Sequence, residues 1–177
     1  MMTPAIRKVA LTVHIATSVG WLGSIAAYIA LNVPALTSKD AATVRGAYLM
    51  MESVTWFAIL PLAVVSLLTG IAQALGTPWG LFRHYWVVIS FVLTAFSTAV
   101  LVLHVRDIGY LADMAADPRT DLARLGGDLF HSVGGLLVLL AVMVLNIYKP
   151  RGRTRYGLRT QAHTQDARAR QHAAARS

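Results

Sequence analysis

Four long apolar runs, at about 10–31, 53–75, 86–103 and 129–148, constrain this chain more than any other feature. Each approaches the ~20 residues that carry a helix across ~30 Å of hydrocarbon. Inside lipid every backbone N–H and C=O must pair within its own segment or in a closed barrel, and runs without period-two alternation select helices. The expected fold class is all-α: an integral membrane four-helix bundle over residues 1–148. A basic tail, 149–177, follows. It is rich in Arg, Gln and Ala with little apolar periodicity, and is expected to be disordered. Apolar residues make up 56% of the chain and charged residues only 14%, against roughly a quarter charged in soluble domains. One domain is expected.

Arg7 and Lys8 precede the first run much as a charged segment precedes a secretory signal. The run exceeds the ~7 to 15 apolar residues of such a signal, and no clean A-x-A site follows it, so it reads as a retained helix. Orientation is read from Lys and Arg near the span ends. With both termini cytoplasmic, the inner segments hold eleven basic residues: Arg7, Lys8, Arg83 and the eight of the tail. The outer segments hold five, namely Lys39, Arg45, Arg106, Arg119 and Arg124. The last three share their loop with Asp107, Asp113, Asp117, Asp121 and Asp128. The expected location is therefore the cell (cytoplasmic) membrane, multi-pass, with both termini inside. The net charge of +8 resides mainly in the tail, which argues for anionic lipid headgroups as its partner and against nucleic acid. Cysteine is absent, which excludes disulfide and thiol chemistry.

Cap signals suggest that the helices project beyond the bilayer. Thr37 and Ser38, before Lys39 and Asp40, predict a helix start leading into the second span. Pro118 to Asp121 combines a breaker with a cap, so the third helix is predicted to run to about Ala116 and the fourth to begin near Thr120. Gly76-Thr77-Pro78-Trp79-Gly80 predicts a tight turn with an interfacial Trp, and Pro61 predicts a kink inside the second span.

Polar side chains in membrane helices usually turn inward, so their spacing locates the working faces. In the first span His14, Thr17, Ser18, Trp21, Ser24, Tyr28 and Asn32 follow steps of three and four and share one face. The second span offers Glu52, Trp56, Ser66, Gly70 and Gln73; the third Ser90, Thr94, Ser97 and His104; the fourth His131, Gly134, Gly135 and Asn146. The small residues among them are expected chiefly to let helices approach and hydrogen-bond.

Imidazole titrates near neutral pH and is a common ligand of metals and haem iron, so the histidines need separate treatment. His163 and His172 lie in the tail. His104 ends the third span and His131 opens the fourth on the same side, with Glu52, Tyr28 and Asn32 at corresponding depth. His104, His131 and Glu52 form a candidate metal set, and the two imidazoles are equally candidates for haem iron. Gly134 and Gly135, one turn below His131, leave room for a flat macrocycle. His14 lies near the opposite end of the bundle, within the apolar run, and is a functional candidate in its own right. His84 and His104 are twenty residues apart, about 200° around one helix, which disfavours a simple di-haem wire.

The stretch HIATSVGWLGS, with His14, Trp21 and Gly23, resembles the opening helix shared by several bacterial families of small helical membrane proteins. These are the membrane-bound protoporphyrinogen oxidases, the copper-resistance D proteins, and a domain-of-unknown-function family of integral membrane proteins. The stretch SLLTGIAQALGTPWGLFRHYWVV, with Gly70, Gly76, Trp79 and Trp86, is similar to the second span and inner turn of the last of these. The resemblance implies haem b at the position of His14. The oxidases also use a lysine early in the third span; Ser90 stands in that neighbourhood here. Copper handling has little support beside it, because Cys and Met-rich runs are lacking.

The leading expectation is a haem b-binding membrane protein with a redox, haem-sensing or haem-handling role. Its candidate ligands are His14, His104 and His131, with Trp21, Tyr28, Trp56, Gly134 and Gly135 forming the pocket and Glu52 tuning it. The alternatives are an enzyme of the protoporphyrinogen-oxidase type and a cofactor-free structural or accessory subunit. Small-residue faces also admit a homo-oligomer or a larger membrane complex.

Overall fold

The computed structural model describes residues 2–77 and 80–174, apart from the side chains at 162–164, 167–170 and 172–173. Pro78 and Trp79, with the turn expected around them, and the side chains of His163 and His172 therefore lie outside the described residues. The chain is all-α, and four of its helices have the length and apolarity to cross a membrane: Pro4–Thr37, Ala41–Gly76, Tyr85–Ala116 and Leu129–Tyr148. The first three extend well beyond their apolar cores. Thr3 caps the first by accepting from the Ile6 amide at 3.4 Å, and Asp40 caps the second by accepting from the Thr43 amide at 2.9 Å. The Thr43 hydrogen bonds hold the Asp40 carboxyl below the ordinary aspartate range.

Each span packs against the two beside it, first on second and fourth, third on second and fourth. That is the up-down-up-down arrangement that short connections favour. Only 28%, 22%, 22% and 11% of the most apolar window of each span is buried, in chain order. Apolar helices this exposed need lipid as their solvent, so the chain is a multi-pass membrane protein. The fourth span is the least enclosed, and this bears on the cavity described below.

The polar stripe of the first span faces inward: Trp21, Tyr28 and Asn32 are buried, and Ser18 meets Ser66 of the second span, hydroxyl to hydroxyl, at 2.7 Å. Pro61 sits just after a π turn, Thr55–Ile59, in which the Leu60 amide reaches back to the Thr55 carbonyl. The wider turn accommodates a proline that can neither donate nor tolerate the carbonyl four residues earlier. It also sets the buried line of this helix at Met51, Thr55, Ile59, Ala63 and Ser66. Trp56, one position round, is 48% exposed and faces outward rather than into the bundle.

The third helix ends at Ala116 as its breaker predicts, but the fourth begins at Leu129 rather than near Thr120. Side chains of the second span explain the delay, because they satisfy loop carbonyls that a helix would otherwise have engaged. The Arg45 guanidinium donates to the carbonyls of Ala115, Asp117 and Pro118. The Tyr48 hydroxyl reaches those of Leu125 and Gly126 at 3.4 and 3.3 Å. Between these anchors lies only a short 3-10 turn, Leu122–Arg124.

The tail also departs from expectation, since Arg155–Ala174 forms a helix. Ala, Arg and Gln are good helix formers even where no apolar face is available. Thr154 caps it, accepting from the Gly157 amide at 3.1 Å, while its own amide donates to the Arg83 carbonyl at 3.0 Å. The start of the tail is thereby tied to the segment leading into the third span.

Candidate metal centre

The first span and the start of the fourth meet through Asn32 and Asp128. Asn32, fully buried, donates to the Tyr28 carbonyl at 3.1 Å, and its Oδ1 accepts from the Asp128 amide at 3.1 Å. The chain approaches this point through Gly127, where a Cβ would strike the Leu36 side chain at 2.7 Å. Asp128 then turns into the helix, and its carbonyl accepts from the Ser132 hydroxyl at 2.7 Å. Its carboxylate is only 6% exposed. A buried carboxylate survives only with partners, and this one has three. Oδ2 accepts from the Tyr28 hydroxyl at 3.0 Å. Oδ1 faces His104 Nε2 at 2.9 Å and His131 Nδ1 at 3.1 Å.

His104 is held from both sides, because its Nδ1 lies 3.0 Å from Oδ2 of Asp107, one turn along the same helix. Each ring nitrogen of His104 thus faces a carboxylate oxygen. The two imidazoles lie face to face, with ring centres 4.2 Å apart and planes inclined by 32°. One ligand atom each from His104, Asp128 and His131 falls within 4.8 Å of the others. A tetrahedral ion with bonds of about 2.0 to 2.2 Å sets its ligand atoms roughly 3.3 to 3.6 Å apart. Small rotations of the two rings would convert one arrangement into the other.

The sequence places His104 and His131 together, and the structure does the same. The carboxylate beside them is Asp128, not Glu52. Glu52 lies on the second span where it packs against Gly109, with Oε1 3.5 Å from where a Cβ would stand. Asp128 and Asp107 were legible only as charges of a loop. The signals that find them are spacing ones: Asp107 three residues after His104, and Asp128 three before His131 at the brink of an apolar run.

His14 is elsewhere. Its Nδ1 faces the Ser66 carbonyl at 3.1 Å and the Thr69 hydroxyl at 3.2 Å. The ring packs on Gly70, where a Cβ would come within 3.1 Å of it. Fourteen residues separate it from Tyr28, about 21 Å along a helix, so His14 and the cluster form two sites.

A cavity of about 640 Å³ adjoins the cluster. Its walls include Trp21, Tyr28, His104, His131, Gly134 and Gly135, six of the residues singled out in the sequence; His14 and Trp56 are not among them. Against haem the residues give a divided answer. Two imidazoles on opposite faces of one iron, each nitrogen about 2 Å from the metal, point at each other end to end across it. His104 and His131 instead lie face to face and aim at one oxygen, so they do not fit as a bis-histidine pair. A single axial histidine does fit: Asp128 holds His131 at Nδ1, and the ring borders a cavity with a glycine wall.

No family model, no curated protein and no solved structure matches this chain.

Proposed function

We propose that this chain is a membrane metalloprotein in which His104, His131 and Asp128 hold one divalent transition-metal ion at one end of the bundle. The observation that carries this reading is the pair of carboxylates on His104. Asp128 meets one ring nitrogen at 2.9 Å and Asp107 the other at 3.0 Å. Metal-bound histidines commonly pass their second N–H to a carboxylate, which fixes the ring and raises its basicity. Tyr28 on Oδ2 of Asp128 supplies a similar outer support. Two imidazoles and one carboxylate suit zinc or iron(II) and leave coordination positions open on the cavity side. Such an ion would act as a Lewis acid or a redox centre; the surrounding residues orient its ligands and exclude water.

Metal analysis of the purified full chain tests the reading. About one equivalent of zinc, iron or manganese is expected, lost in Asp128→Asn and His104→Ala and kept in Glu52→Gln. Metal below a tenth of an equivalent after growth and purification with each ion added would sink it.

A second reading, haem b with His131 as its axial ligand, is favoured by the cavity beside Gly134 and Gly135. An absorption spectrum with and without dithionite decides it, since absence of a Soret band would remove haem. In either case we place the chain in the bacterial cytoplasmic membrane with both termini inside, on the excess of basic residues at that end. The cluster then faces outward, and the tail helix lies near anionic headgroups. Cysteine accessibility labelling in intact cells at positions 120 and 160 tests the orientation.

A further inference from the structure

The cavity is enclosed on one side only. Phe96 of the third span and Phe130, Val133 and Leu137 of the fourth line it, yet they are 62%, 87%, 40% and 61% exposed. Side chains that face both a cavity and the surroundings mark an opening, here between the third and fourth spans. Those surroundings are lipid, because beyond His131 the large exposed side chains of this fourth helix are apolar, among them Val133, Leu137, Met143, Val144 and Ile147. A water-soluble solute would have to cross hydrocarbon to reach such an opening, whereas a bilayer-dissolved molecule is already beside it.

The inner end of the cavity has a different chemistry. His131, with a side chain 51% exposed, borders the cavity while Asp128 holds its Nδ1. Trp21, 2% exposed, forms part of the deeper wall, and its indole N–H is the buried side-chain donor left without a hydrogen-bond partner among the described residues. Indole donates only, and a buried donor without an acceptor bears its full desolvation cost. An oxygen bound against the indole N–H would remove that cost.

We infer that this cavity binds a bilayer-dissolved amphiphile with a carbonyl head, which enters sideways between the third and fourth spans and accepts a hydrogen bond from Trp21. Its apolar chain lies along Phe96 and Leu137 and runs out into the lipid. Prenylated quinones and acyl esters share this chemistry. The inference does not require a metal at the neighbouring cluster.

Gly134 gives a clean way to block the site, because a Cβ there meets nothing within 4 Å and the residue lines the cavity. The test is ligand occupancy of the full-length protein by native mass spectrometry, titrated with decylubiquinone, with 1-monooleoylglycerol and with hexadecane. Metal content and the absorption spectrum are measured on the same samples. At least one carbonyl probe is expected to bind one to one, and the tighter of the two names the source. Gly134→Phe should abolish that binding with the metal retained. Trp21→Phe should weaken the carbonyl probe about tenfold, the worth of one hydrogen bond, while leaving hexadecane unchanged. Failure of both carbonyl probes, undiminished binding in Gly134→Phe, or equal loss for hexadecane in Trp21→Phe would overturn the inference. So would a dimer sealed across Phe130, or haem already filling the cavity. Loss of metal without loss of probe binding would sink the metal reading alone.

Discussion

The Tyr28 hydroxyl donates to Oδ2 of Asp128 at 3.0 Å, joining the first span to the fourth across 100 residues of sequence. Tyr28→Phe keeps the ring and removes the donor, leaving one oxygen of a buried carboxylate bare. A loss of about 1 to 3 kcal/mol is expected, read as a lower midpoint of thermal unfolding in detergent. Metal affinity should fall as well, by about 10- to 100-fold, the usual cost of losing an outer support. A midpoint within error of the wild type would show that this bond contributes nothing.

Asp107 separates support of the metal from support of the fold. Its carboxylate is 69% exposed yet touches His104 Nδ1. Asp107→Asn is therefore expected to weaken metal binding by about 10-fold or more while moving the unfolding midpoint of the metal-free protein little. Equilibrium competition with a metal chelator dye measures the first effect and calorimetry the second. The reverse pattern would make Asp107 a stabilising surface partner only.

Removing the ion should itself destabilise the chain. A ligand bound only by the folded state at about 100 times its dissociation constant adds about 2.7 kcal/mol. Dialysis against EDTA is expected to lower the unfolding midpoint of the wild type, and readdition of metal to restore it. In Asp128→Asn both treatments should have no effect.

At the other end of the bundle, Gly70→Ala tests the seat of His14. A Cβ there would come within 3.1 Å of the imidazole, which would have to give by a few tenths of an ångström against its contacts with the Ser66 carbonyl and Thr69 hydroxyl. A destabilisation of about 1 kcal/mol is expected, near the upper range of polar contacts between membrane helices. Metal content should be unchanged, since the two sites are separate.

What the sequence made legible followed from lipid as solvent. The demand for internally paired backbone turns long apolar runs into helices, and the preference of polar side chains for the interior brings Trp21, Tyr28, Asn32, His104 and His131 to one end. Two kinds of feature escaped. The buried line of the second span runs Met51, Thr55, Ile59, all but Thr55 apolar, so the polar stepping from Glu52 to Trp56 followed a line one residue round from it, and Trp56 faces outward. Contacts fixed by tertiary packing were hidden too. Asp128 reads as loop charge until Asn32 and Tyr28 are seen to hold it, and the late start of the fourth helix depends on Arg45 and Tyr48 in a different span.

The partners of Asp128 also constrain how the protein is made. Tyr28 and Asn32 emerge early in synthesis, His104 much later, and Asp128 with His131 at the threshold of the last span. A nascent chain halted after three spans therefore lacks the carboxylate on which the cluster is centred. When the fourth span arrives, its acidic first residue becomes affordable only against the first helix. Lateral docking of the newest segment onto the oldest is thus what gives that carboxylate its hydrogen-bond partners.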